Sequence, residues 1–165
     1  MFSFRDEVTL DLQAAKIQTK KARGLEGNLF SVDGEQMLKS IALFGANASG
    51  KSNVIKAIRA CVNMVRSSHN YNVDTKFAIS PFKFENGVDK PSSFYIRFLL
   101  DKIEYEYSFS FMHDEIITEA LYYYPNGRRS LVFSRDESRG TEKKDIYEFK
   151  TAIKRPFDVA DNTSK

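Results

Sequence analysis

Eight consecutive residues carry the densest chemistry in this chain: Gly45-Ala46-Asn47-Ala48-Ser49-Gly50-Lys51-Ser52. Their spacing is G-x-x-x-x-G-K-[ST], in which every fixed position has a task at a phosphate group. Gly45 and Gly50 let the backbone turn where a side chain would forbid it and come close to a ligand. The N–H groups from about Ala48 to Ser52 are expected to point inward at a helix start. Unpaired donors and the positive end of the helix dipole favour an anion there. Lys51 is expected to reach the β- and γ-phosphates as a mobile point charge, and is the candidate for a catalytic role. The hydroxyl of Ser52 is placed to hold Mg²⁺, which also bridges phosphate oxygens. The bland alternative is a chance glycine-rich turn. It would have to reproduce four fixed positions and both flanks.

The flanks are the elements that must position these residues. Lys39 to Phe44 contains the apolar run Ile41-Ala42-Leu43-Phe44 and reads as a buried strand feeding the loop. From Asn53 onward, Val54, Ile55, Ala57, Ile58, Cys61, Val62 and Val65 recur at three- and four-residue spacing, which predicts a helix. Strand, glycine-rich loop and helix in that order is the context the motif requires.

The remainder is organised around strands. Met1 to Ala14 alternates: Phe2 and Phe4, then Val8, Leu10 and Leu12 against Glu7, Thr9, Asp11 and Gln13. Ala15 to Gly27 is basic and polar and reads as a solvated loop. Asp33-Gly34 predicts a hairpin within Leu29 to Met37. Ser67 to Gly87 has little periodicity. From Ser92 strict alternation sets in. Phe94, Ile96, Phe98 and Leu100 share a face, Asp101-Lys102 turns the chain, and Ile103, Tyr105, Tyr107, Phe109 and Phe111 share the next. A turn at His113-Asp114, a strand over Ile116 to Tyr124, a two-residue hairpin at Asn126-Gly127 and a strand over Arg128 to Phe133 complete an antiparallel meander with one packed face. Ser134 to Lys144 reads as a charged loop, Asp145 to Lys150 as one more strand, and the residues after Pro156 as a polar tail. The organisation is a single lobe over 1–165: strands, loop and helix in 1–66, an irregular connection in 67–91, the meander in 92–150 and a tail in 151–165.

Composition sets bounds. Of the 165 residues, 42% are hydrophobic and 28% charged, as in a soluble globular domain. A net charge of +3 is too mild to argue for nucleic acid by itself. Fourteen Phe and eight Tyr lean toward sheet. The single cysteine, Cys61, lies on the apolar face of the helix and reads as core; it has no internal disulfide partner, which fits a reducing cytoplasm. Arg5, Asp6 and Glu7 do not suit a secretory leader, and no apolar run reaches membrane-spanning length.

Ser3-Phe4-Arg5-Asp6-Glu7-Val8-Thr9-Leu10, followed by Lys39 through Ile58 with Asn47 inside the loop and Asn53 after it, resembles the start of the ABC-like AAA ATPases of bacteria. These are relatives of the RecF and SMC ATPases and of the overcoming-lysogenization-defect nucleases. Pro81-Phe82-Lys83-Phe84, the Tyr105/Tyr107 strand and Glu119 to Tyr124 are similar to that family too, so the resemblance covers nearly the whole chain. It implies a mixed α/β fold, part of an ABC-ATPase head, with ATP and Mg²⁺ as cofactors. It implies contacts to nucleotide from Asn53 and Arg5, pairing of two heads, and a role in phage defence or DNA transactions, with DNA or a nuclease as partner.

The chain also departs from that pattern. Most of an apolar strand ahead of Ser3-Phe4 is missing, no Gln follows Ser52, and no Ser-Gly signature loop is visible. No apolar strand ends in Asp-Glu; Phe98-Leu99-Leu100-Asp101 is followed by Lys102 and reads as a hairpin turn. The chain is therefore expected to correspond to the front half of such a head. His69 and His113 have no second ligand at metal spacing. Glu104/Glu106 and Asp114/Glu115 read as solvent faces or turns, and Arg128-Arg129 as a hairpin rim. Two functions stay open: an ATP-binding amino-terminal lobe, and a non-catalytic module that self-associates, as a homodimer, or docks on a partner such as the second half of the head.

Overall fold

The computed structural model describes residues 6–15, 24, 26–32, 34–67, 90–112, 115–140 and 146–150. Arg5, His69, His113, the 81–84 segment and the tail lie outside these residues.

The alternating run from Ser92 builds a five-stranded antiparallel sheet. Ahead of it in the chain, β1 (Leu29–Val32) and β2 (Glu35–Leu38) form a hairpin, and α1 (Lys51–Ser67) follows the glycine-rich loop. The sheet is β3 (Ser92–Leu100), β4 (Ile103–Met112), β5 (Glu115–Tyr123), β6 (Ser130–Asp136) and β7 (Tyr147–Phe149), hydrogen-bonded in that order. Asp101 and Lys102 take φ of +49° and +65° between the paired residues Leu100 and Ile103. Both central residues are left-handed, the geometry whose twist suits a two-residue hairpin. This is the turn expected there. Gly34 closes the β1–β2 hairpin at φ +87°.

One sheet face is apolar because the strand period is two. Phe94 pairs with Phe109, Ile96 with Tyr107 and Phe98 with Tyr105, all on this face. Rings stack across the strands, with Phe94–Phe109 centroids at 5.2 Å and Phe98–Tyr105 at 5.4 Å. Helix α1 lies on one end of it. Cys61 and Met64 join Phe109 and Phe111 as the buried cluster, with Phe94, Ile96, Tyr107 and Ile116 packed around them. Burial pushes the Cys61 thiol from 9.0 up to about 11, as befits a core residue. Tyr107 donates to Glu119 at 2.6 Å, and burial, then the Glu119 charge, drives its phenol upward.

Four expectations need correction. Among the described residues 6–15 there is no strand, only a bridge from Gln13 to Met37, and Val8, Leu10 and Leu12 are exposed. The lead-in from Lys39 to Phe44 forms no ladder either, and Phe44 is 92% exposed. Apolar alternation supplies a face, but a strand also needs a neighbour for its backbone groups, and none of the described residues lies beside 41–44 as one. Asn126-Gly127 does not make a two-residue hairpin. Tyr123 pairs with Ser130, so six residues, 124–129, span the connection. Finally, β6 runs on to Asp136, where a 3₁₀ turn (Glu137–Arg139) is capped by the Asp136 carboxylate accepting from the Ser138 amide at 3.0 Å.

A side chain secures the lead-in where a ladder does not. Asn28 Nδ2 donates to the Ser40 carbonyl at 2.8 Å, and its Oδ1 accepts from the Ser40 amide at 2.9 Å and the Ser40 hydroxyl at 2.7 Å. The hairpin is thereby prolonged by one mimicked pair, five residues before Gly45.

Candidate functional site

The loop turns by left-handed steps. Ala48 sits at φ +65° and Gly50 at φ +95°, and the Ser49 amide donates to the Ala46 carbonyl at 3.2 Å. Gly50 meets the steric demand without cost; Ala48 meets it with strain, since a Cβ disfavours that region. Gly45 acts differently. A Cβ there would fall 2.8 Å from Ser49 Oγ, so a side chain at this position would require the Ser49 hydroxyl to turn away.

Helix α1 begins at Lys51, two residues before the expected start. The amides of Asn53 and Val54 both donate to the Gly50 carbonyl, at 2.8 and 3.3 Å. The first N–H groups of a helix have no partner inside it. The first turn of α1 contains no acidic residue, so nothing there offsets its positive end. Of the amides expected to face an anion, that of Ser49 is engaged within the loop. Gly45 to Ser49 and Ser52 are exposed, while Gly50, Lys51 and Asn53 are half-buried.

Lys51 folds back over the loop. Its Nζ donates to the carbonyls of Gly45 at 2.7 Å and Ala46 at 2.6 Å. The ammonium thus lies on the loop itself, and any phosphate must compete with two carbonyl oxygens for it. As a compact charge on a flexible stem it can turn without backbone movement. The residues present suit a nucleoside phosphate with Mg²⁺: a glycine cradle, a mobile cation, a helix start free of carboxylates and a hydroxyl at Ser52. Mg²⁺ commonly keeps several waters and takes few protein ligands. Accordingly the lack of any cluster of three His, Cys, Asp or Glu among the described residues does not conflict with it.

A second polar assembly, not foreseen in the sequence, lies on the sheet face opposite α1. The Glu106 side chain is only 12% exposed, so it is not the solvent-facing group expected of it. It accepts from Tyr124 Oη at 2.7 Å and Arg129 Nε at 2.8 Å. Burial alone would raise its carboxyl; hydrogen bonds from Tyr124, Arg129 and Tyr95 outweigh that and hold it below the usual range. The Arg129 guanidinium covers the Tyr122 ring, 3.5 Å from its centroid, and Arg97 pairs with Glu104. Arg129 is therefore a rim residue as expected, but a fixed one. Its signal was non-local, since Glu106 and Arg129 are brought together only by the meander.

A glycine-rich loop opening a helix, beside an antiparallel sheet, makes a mixed α/β domain consistent with the P-loop-type AAA class. Residues 40–163 match the AAA domain family described as AbiEii toxin-like, type IV TA system, and the chain belongs to that family. Neither a curated protein nor a solved structure gave a match. Among the described residues no helix is long and apolar enough to cross a membrane.

Proposed function

We propose that this chain is the ATP-binding amino-terminal lobe of an ABC/RecF-like bacterial ATPase, holding Mg·ATP on Gly45 to Ser52. The observation that carries the reading is the loop itself: the fixed motif, at the start of a helix, with Lys51 within reach of the same space as the loop carbonyls. The backbone amides at the helix start bind phosphate oxygens, Lys51 exchanges its two carbonyls for the β- and γ-phosphates, and Ser52 takes one Mg²⁺ position. Asn53, and Arg5 beyond the described residues, contact the nucleotide. A bound Mg²⁺ supplies charge neutralisation across the phosphates. Hydrolysis needs a carboxylate to orient water and a second head to close the site. The carboxylate is assigned to the second half of the head, and the closing surface to that half or to a homodimer mate. The family supports a setting in phage defence or DNA transactions, with DNA or a nuclease as further partner, in the cytoplasm.

Titration calorimetry with Mg·ATP tests this. Lys51→Ala removes a charge-assisted contact worth about 1.5–3 kcal/mol and should weaken binding at least tenfold with little change in thermal stability. Equal affinity in mutant and parent would exclude the phosphate-loop reading. The exposed Ile55, Ile58, Val62 and Val65 on α1 favour the second reading, a non-catalytic module docked through that helix. Absence of any Mg·ATP heat would select it.

A further inference from the structure

The two edges of the five-stranded sheet are built differently. Edge strands expose unpaired backbone groups, and proteins blunt them by shortness, charge, proline or bulges. Strand β7 is blunted: it has three residues, and its Glu148 pairs with Lys150 at 2.7 Å and Arg139 at 3.7 Å. Strand β3 is not. Its nine residues pair with β4 in an unbroken register from Ser92↔Phe111 to Leu100↔Ile103. Pro91 lies just outside it, and its one charged residue, Arg97, is already paired with Glu104. Tyr95 is 60% exposed and Leu100 55%, with Leu99 also open. Among the described residues nothing pairs with its outer side.

We propose that β3 is a self-pairing edge, on which the β3 of a second copy of this chain adds antiparallel about a two-fold axis through Ile96. Residues opposite one another in a ladder must share a face, so the axis has to fall on a residue. Full overlap of Ser92–Leu100 with itself places it at Ile96. That register sets Phe94 opposite the partner's Phe98, which extends the cross-strand rings already stacked on β4. On the other face it sets Tyr95 opposite the partner's Arg97, twice. A guanidinium over a tyrosine ring is a favourable pair, and this fold uses it at Arg129 and Tyr122. The two Arg97 charges are kept from facing each other. Charge and ring thus complement each other by symmetry, which selects a second copy over an unrelated strand.

The proposal does not rest on nucleotide binding. Sedimentation equilibrium of the full chain, without nucleotide, should show a monomer–dimer equilibrium. Tyr95→Lys puts a lysine against the partner's Arg97 on both sides of the two-fold axis and should raise the dissociation constant at least tenfold, with circular dichroism unchanged. Leu99→Lys provides a second probe on the same face should the first fail to fold. Val62→Lys, on the exposed side of α1, should leave the dimer intact. A strictly monomeric parent, association unmoved by Tyr95→Lys and Leu99→Lys, or loss of the dimer in Val62→Lys alone would overturn the proposal. The last result would place the contact on the helix.

Discussion

Glu106 shows how far a residue's environment is set by contacts remote in sequence. In the primary structure it alternates with tyrosines and reads as solvent-facing. In the fold, Tyr124 and Arg129 close over it from the β5–β6 connection. Its folded carboxyl titrates below the ordinary 4.5. Such a group contributes stability that is complete above the ordinary value and is lost as pH falls through the folded one. Glu106→Gln should therefore be less stable than the parent by about 1 kcal/mol at pH 7. The gap should close as the pH falls below about 4.5. Urea denaturation at a series of pH values measures it, and a gap that persisted at pH 3 would remove the charge from the explanation. Lys51 and Gly45 lie at the other extreme. Their place in a turn that opens a helix was legible from type and spacing, because the loop is built from contiguous residues. What could not be read was that Lys51 rests on the Gly45 and Ala46 carbonyls, since that depends on the turn at Ala48.

The meander was legible as elements because its strands pair with their sequence neighbours and each turn is local. Asp101-Lys102 is the clearest example, and also an imperfect one. Both residues are left-handed, a region that costs a residue with a Cβ about 1–2 kcal/mol. Replacing them by Asn and Gly should stabilise the domain by about 1 kcal/mol. Thermal denaturation of the D101N/K102G variant reads this directly; a lower midpoint would mean that the acidic and basic side chains make contacts that outweigh their strain. The lead-in over 39–44 was not legible in the same way. Its apolar run is strand-like, but whether it is a strand depends on which segments come to lie beside it, and the sequence of the run does not specify that. Here the structure substitutes one asparagine side chain, Asn28, for a ladder. No periodicity marks such a residue.

For the whole molecule, α1 poses the main question. Cys61 and Met64 face the sheet, while Ile55, Ile58, Val62 and Val65, spaced three and four apart, remain 44–66% exposed. A helix apolar on two sides belongs between two layers, and the described residues supply one. The same reasoning applies to catalysis: loop and cation are in one lobe, and the Asp136-Glu137 pair at the end of β6 is committed elsewhere, Asp136 to capping the 3₁₀ turn and Glu137 to Arg135. The isolated chain should bind Mg·ATP yet turn it over far more slowly than about 1 s⁻¹ in a phosphate-release assay. A rate of that order that vanished in Lys51→Ala would reveal a carboxylate overlooked in this chain. The placement of α1 also carries a consequence in time. Its sheet contacts, Phe109 and Phe111, lie more than forty residues downstream of Cys61 and Met64. Translation proceeds at about 5–20 residues per second, so the helix leaves the ribosome ~2–10 s before the strand it packs on. Through that interval the helix lacks the sheet it packs on, and a nascent-chain chaperone would meet both of its apolar sides at once.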